Sequence, residues 1–282
     1  MILFKEAKML KKYLIHQSET GSSIGFVPTM GALHQGHISL IKQSKNKCNI
    51  TVCSIFVNPT QFNDTKDFEK YPVTIENDIL LLEQSGCDIL FLPSVTEMYP
   101  EGTNNQATYD FGEIERLLEG KYRPGHFQGV GLIVHKLLDI VSPDLLLIGQ
   151  KDYQQCMIIK KLVELIESKT SVIIGETLRE DSGLAMSSRN LRLDIDQKEK
   201  AAGIYKMLKF LQDNYNLATV IELEEEVKSY LLQHGFDKVD YIFIANAATL
   251  EPITEQTKPI KSVALIAAFI GEIRLIDNIL LN

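Results

Sequence analysis

Residues 50–57 read Ile-Thr-Val-Cys-Ser-Ile-Phe-Val, with apolar side chains on both faces of an extended chain. A strand that hides both faces belongs in a parallel sheet covered by helices above and below. Runs at 24–27, 89–92, 145–148 and 172–174 have the same short, buried character. Helical patterns separate them. One covers 4–16 with Leu10, Leu14 and Ile15 inward, and others run from 38 to about 47, then over 74–85, 129–140 and 153–168. Strands and helices in alternation build βαβ units, so the expected class is α/β with a doubly wound parallel sheet. Ligands of such sheets bind beyond the carboxyl ends of the strands.

After residue 176 the pattern changes. Segments 196–214 and 219–234 read as amphipathic helices and 239–245, 263–270 and 273–280 as strands, the last two joined by the hairpin signal Gly271-Glu272. Strands without helices between them imply a small antiparallel sheet. The expected division is therefore 1–176, an α/β domain, and 177–282, a smaller α+β domain. A net charge of −8 argues against a general nucleic-acid binder but leaves room for one positive pocket. Cys48, Cys53, Cys87 and Cys156 form no CxxC pair and read as reduced thiols. Residues 1–8 carry charges where a secretory signal needs an apolar core, and the run 263–271 is far shorter than the ~18–20 residues of a membrane span. A cytoplasmic protein with no membrane association is expected.

The stretch Pro28-Thr29-Met30-Gly31-Ala32-Leu33-His34-Gln35-Gly36-His37 lies where the first predicted strand hands over to a helix. A helix N-terminus exposes unpaired N–H groups at the positive end of the dipole, which suits a phosphate. Gly31 and Gly36 allow a turn and a close approach. His34 and His37, three apart, project from one side of the first turn and can donate hydrogen bonds to phosphate oxygens. By itself this stretch also fits a plain strand–turn–helix with two surface histidines. Four further stretches weigh against that.

Asn58-Pro59-Thr60-Gln61-Phe62 follows the second strand, where Gln61 offers a donor and an acceptor and Phe62 an apolar wall; an ordinary Asn-Pro turn explains the same letters. Gly149-Gln150-Lys151-Asp152-Tyr153-Gln154-Gln155 supplies an open backbone, a point charge for a phosphate, an acceptor for ribose or adenine, and a second amide at Gln155. Asp152 also fits a helix cap. Met186-Ser187-Ser188-Arg189-Asn190 sets two hydroxyls and a guanidinium side by side, enough to hold β- and γ-phosphates, although a serine-rich linker reads similarly. Arg123 and His126, in Lys121-Tyr122-Arg123-Pro124-Gly125-His126, are candidates to face a substrate pocket.

His-x-Gly-His after a first strand resembles the signature of the nucleotidylyltransferase superfamily. The longer string from Pro28 to His37, the Lys-Asp-x-x-Gln spacing from Lys151 to Gln155, and Ser-Ser-Arg-Asn at Ser187 resemble one family within it, the pantothenate synthetases or pantoate–β-alanine ligases. The resemblance implies a Rossmann-like sheet in 1–176 that binds nucleotide and pantoate, a lid in 177–282, and a two-step, ATP-dependent condensation of pantoate with β-alanine through a pantoyl adenylate, releasing pyrophosphate and AMP. It implies ATP contacts from Met30 through His37, from Gly149 through Asp152, and from Leu178, Met186, Ser187, Ser188 and Arg189, with the adenine against the backbone at Leu178. His34, His37, Lys151, Ser187, Ser188 and Arg189 carry the chemistry. Gln61 and Gln155 hold pantoate, with Phe62, Arg123 and His126 nearby. Some family members carry paired Asp here; Asn77 breaks the pair and leaves Asp78 as the candidate to position Mg²⁺, and a charged helix face is the plainer account of that residue. A homodimer is also implied. Competing readings are a nucleotidylyltransferase acting on a phosphate ester and a nucleotide sensor without catalysis.

Overall fold

The structure, a computed structural model of the chain, describes residues 1–63, 65–103, 107–253 and 261–282. Strands β1 (Ile2–Phe4), β2 (Ile24–Thr29), β3 (Ile50–Ile55), β4 (Ile89–Phe91), β5 (Leu145–Gly149) and β6 (Ser171–Gly175) form one six-stranded sheet. Its order is β1-β4-β3-β2-β5-β6, and every pairing is parallel. From β2 the chain winds outward through β3 and β4, then returns to the other side of β2 with β5 and β6. The winding direction therefore reverses at the carboxyl ends of β2 and β5, the place where such sheets bind ligands.

Alternation along the strands explains why both faces are apolar. Phe26, Val52, Leu146 and Ile148 face one core with Leu10, Leu14, Phe127, Val134 and Ile159 from helices Ala7–Glu19, His126–Val141 and Tyr153–Leu165. Val27, Cys53, Ile55, Leu90 and Leu147 face a second core with Leu40, Ile41 and Leu82 from helices Gln35–Lys47 and Ile75–Gln84. The α/β class and the doubly wound sheet expected from the sequence are the ones observed. Strand β1 was not expected: three residues are too few to show a period, and what makes them a strand is pairing with β4. It shortens the predicted first helix at its start. Ile15, expected inward, is half exposed, because Leu10 and Leu14, four apart, define the buried stripe.

Contacts divide the chain into two units, Met1–Gly149 with Gln155–Glu176, and Gln150–Gln154 with Thr177–Asn282. The second unit holds strands β7 (Lys238–Asn246), β8 (Ser262–Ile270) and β9 (Ile273–Leu280) in an antiparallel sheet. The β8–β9 hairpin turns at Gly271-Glu272. Leu208, Leu211, Val227 and Leu231 pack on Ile244, Ile266 and Ala268 of that sheet. The helix expected over 196–214 is two helices, Ile195–Ala201 and Gly203–Asn214, meeting where Gly203, a poor helix former, enters. Among the described residues no helix is long and apolar enough to cross a membrane.

Candidate active site

In the first unit, β2 ends at Thr29 and the chain turns through Gly31 at φ +82° and Ala32 at φ +47°. A side chain at Gly31 would be strained by that φ and would press on Ile55 and Asp78. The turn delivers His34 to the N-cap of helix Gln35–Lys47, with Gly36 in ordinary helical backbone. His34 Nδ1 accepts the Gly36 N–H at 3.2 Å, and His37 Nδ1 accepts the His34 N–H at 3.3 Å. Two histidines thus build a reciprocal cap usually made by Ser and Glu. The cap decides their chemistry. With both Nδ1 atoms accepting, each neutral ring carries its proton on Nε2, so each presents a donor at the positive end of the helix. The rings lie 4.0 Å apart between centroids.

The same loop rests on Asp78. That carboxylate is fully buried; Oδ2 accepts from the Ala32 N–H at 2.9 Å, and Oδ1 from the Leu33 N–H at 2.8 Å and the Thr74 hydroxyl at 3.0 Å. It is neither on a solvated helix face nor turned out as a metal ligand: its oxygens are taken up by the loop. Among the described residues no group of three or more His, Cys, Asp or Glu is placed to hold a metal ion. These residues do not fit a protein-built Mg²⁺ cage.

Gln61 sits in the turn Pro59–Gln61 after β3, 9% exposed, and its Nε2 contacts Met30 Sδ at 2.9 Å. Two residues fix that turn. Asn58, fully buried, accepts from Tyr99 Oη at 2.7 Å and donates to Gly129 O at 3.2 Å and Gln61 Oε1 at 3.4 Å. Burial pushes the Tyr99 hydroxyl up from its usual pKa, so it remains a donor. His126, also buried, holds Gln61 O at 2.7 Å through Nδ1, while Arg123 Nη1 lies 3.1 Å from its Nε2. A guanidinium only donates, so Nε2 accepts and Nδ1–H points at Gln61 O. His126, expected to face the substrate, is thus engaged with the Gln61 backbone, and Arg123, expected there too, with the His126 ring. Phe62 is held edge-on by Phe68 and Tyr71, with ring centroids 5.3 and 5.9 Å away. Gln155 is half-buried near the start of helix Tyr153–Leu165. A Cβ at Gly149 would meet nothing within 4 Å.

In the second unit, Gln150–Asp152 forms one helical turn carrying Lys151, whose ammonium lies 3.6 Å from Asp152 Oδ1 with the side chain 17% exposed. The stretch around Ser187 is no linker. Met186 N–H donates to Leu178 O at 2.9 Å and Glu180 N–H to Leu184 O at 2.8 Å, with Arg179 bridged to Ala185, so Leu178 and Met186 face each other across a tight hairpin. Ser187 then caps the turn Ser188–Arg192, its hydroxyl accepting the Arg189 N–H at 3.3 Å. The structure therefore brings together Met30, His34, His37 and Gln61 in one unit, and Leu178, Met186, Ser187, Ser188 and Arg189 in the other. Asn58 and Asp78 do supporting work in the first unit that the sequence reading did not assign to them. The turn-forming letters around Asn58 were the only available signal.

No cysteine is set up as a nucleophile. Burial pushes the Cys87 thiol up to about 11 and the Cys53 thiol well above its ordinary range, and Cys48 is raised by burial and by Asp144. All four thiols are free and buried. The raised pKa keeps Cys48, Cys53 and Cys87 protonated at neutral pH, and burial shields all four. The native protein is expected to leave a disulfide-exchange reagent unreacted, releasing four equivalents only in denaturant; rapid titration of any thiol in buffer would contradict this.

A family model described as pantoate-beta-alanine ligase matches residues 2–280. The pantothenate synthetase of Cytophaga hutchinsonii is 45% identical over 283 aligned positions, covering 100% of this chain and 99% of its own. The crystal structure of pantothenate synthetase from Thermus thermophilus superposes with a TM-score of 0.90 at 35% identity, over 99% of each chain. That of pantoate-beta-alanine ligase from Francisella tularensis, complexed with beta-gamma ATP and beta-alanine, gives 0.84 at 39% identity over 99% of this chain and 97% of its own.

Proposed function

The chain belongs to the pantoate–β-alanine ligase family, and we infer from this premise that it is a ligase joining pantoate to β-alanine with ATP as co-substrate. In the first step a pantoate carboxylate oxygen bonds to the α-phosphorus of ATP as the bond to the bridging oxygen breaks, and pyrophosphate leaves. In the second the β-alanine amine bonds to the acyl carbon, the bond from that carbon to the phosphate oxygen breaks, AMP leaves, and the amine gives up a proton. Neither step needs a covalent bond to the protein, so catalysis rests on positioning and charge stabilisation.

The observation that carries the residue assignment is the histidine cap. Its two Nε2 donors sit at a helix N-terminus, where negative charge on the triphosphate is stabilised. Lys151, Ser187, Ser188 and Arg189 add a cation, two hydroxyls and a guanidinium for the phosphates and the departing pyrophosphate. Leu178 and Met186, adjacent in the hairpin, serve the adenosine end. Gln61 and Gln155 orient the pantoate carboxylate and hydroxyls, and Phe62 bounds the apolar side. Any Mg²⁺ would come with ATP and be held by phosphate oxygens and water rather than by Asp78, whose oxygens take the Ala32 and Leu33 amides. The deciding measurement is AMP release, expected only with ATP, pantoate and β-alanine together. Pyrophosphate release on a phosphate ester without AMP would mark a nucleotidylyltransferase, and ATP binding without turnover a sensor. A cytoplasmic homodimer completes the reading; sedimentation at a single chain mass would remove the dimer.

The support behind Gln61 gives a sharper test. A Cβ at Gly129 would lie 2.2 Å from Thr60 O and 2.8 Å from the Gln61 Cα, both backbone atoms. Gly129→Ala is expected to displace that turn, costing ~1–3 kcal/mol of stability as overpacking does. KM for pantoate should rise while KM for ATP stays nearly constant. Equal rises in both would detach Gln61 from pantoate.

A further inference from the structure

We propose that Asn278, near the far end of the chain, is a positioning residue for Lys151. Asn278 lies on β9 and is 2% exposed. Its Nδ2 donates to Gln150 O at 3.0 Å and to Lys151 O at 2.8 Å, and its Oδ1 accepts from Gln150 Nε2 at 3.2 Å. Two carbonyls pointing at one place can be satisfied by a single side chain only if it carries two hydrogens on one atom. A carboxamide does so, and a carboxylate or hydroxyl does not. The clamp fixes the backbone on both sides of the lysine Cα, leaving the ammonium to be aimed by its own stem.

The residue before it holds the other nucleotide-binding segment of this unit. Asp277, 4% exposed, receives Arg179 in a bidentate pair at 2.5 and 3.1 Å, and accepts the Asn278 N–H at 2.8 Å. Arg179 lies in the Leu178–Met186 hairpin, donates to Gly183 O at 3.1 Å, and stacks on Tyr205 at 3.9 Å from the ring centroid. Neighbours on a strand point to opposite faces. Consecutive residues of β9 therefore grip the lysine turn on one side and the hairpin bearing Leu178 and Met186 on the other. Nothing in the chemistry of the substrates calls for an Asn-Asp pair at this place. The backbone it organises does.

This inference rests on Lys151 acting on the triphosphate, and a double-mutant cycle separates the two claims. Pantoate-dependent exchange of labelled pyrophosphate into ATP is measured in the intact protein, in Lys151→Ala, in Asn278→Ala and in the double variant. With Lys151 present, Asn278→Ala is expected to slow exchange about tenfold or more, the scale of a misplaced reacting group. With Lys151 already removed it should cost less than about twofold, because residues acting through one another are not additive. The loss should fall on turnover, with KM for β-alanine nearly unchanged, which a general loosening of the fold would not produce. Asn278→Asp keeps the shape, removes both donors and should reproduce the defect. It carries the same cycle if the alanine variant does not fold. A defective Lys151→Ala beside an unimpaired Asn278 variant, or one whose losses multiply independently, overturns the clamp alone. An unimpaired Lys151→Ala overturns the role of the lysine and the clamp with it.

Discussion

Lys151→Ala is expected to slow pantoate-dependent exchange of pyrophosphate into ATP by roughly two to three powers of ten. The side chain is the cation on the Gln150–Asp152 turn, 17% exposed, with a loose pair to Asp152 at 3.6 Å competing for it. A preorganised donor that meets charge as it develops is worth ~2–4 kcal/mol of barrier, far above the ~0–1 kcal/mol of a surface ion pair. The melting temperature should hardly change, because the ammonium supports no core. Lys151→Arg should restore little, since a planar fork does not replace a point charge on a fixed stem. Exchange at the parental rate in Lys151→Ala would end the assignment.

Asp78→Ala is expected to cost ~3–5 kcal/mol of unfolding free energy in metal-free buffer, from two buried backbone donors and a hydroxyl left without their shared acceptor. The donors belong to Ala32 and Leu33, which are 2% and 7% exposed, so water does not readily replace the carboxylate. Ala32 at φ +47° is also a conformation that an alanine adopts only when held there. Asp78→Asn keeps one acceptor oxygen and should lose about half as much. Chemical denaturation in the presence of a chelator tests this. If Asp78 served only to bind Mg²⁺, the chelated protein would be as stable with alanine as with aspartate.

The two expectations differ in how far the sequence could support them. Lys151 stood out as a candidate because Gln150, Lys151 and Asp152 form a single local turn. The histidine pair was legible for the same reason: a strand, a glycine turn and a helix start are local events, and local events leave a local pattern. Asp78 was misread because its partners are backbone amides more than forty residues away, and a backbone amide has no letter in the sequence. For His126 and Arg123 nothing in the sequence signalled that the His126 ring is held between Gln61 O and the Arg123 guanidinium. Strand β1 left no trace at all, since three residues become a strand only when β4 is beside them.

The sequence by itself determined the doubly wound α/β class, the second α+β region, and the strand, glycine turn and helix start that carry His34 and His37. These follow from periodicity, turn residues and side-chain type, which are properties of short segments. Only the tertiary structure decided which ring nitrogen of each histidine carries the proton, what Asp78 is for, and that a strand at the end of the chain holds the lysine turn. Those outcomes depend on hydrogen bonds closed between residues far apart in the chain, and such bonds exist only once the fold has brought their two ends together.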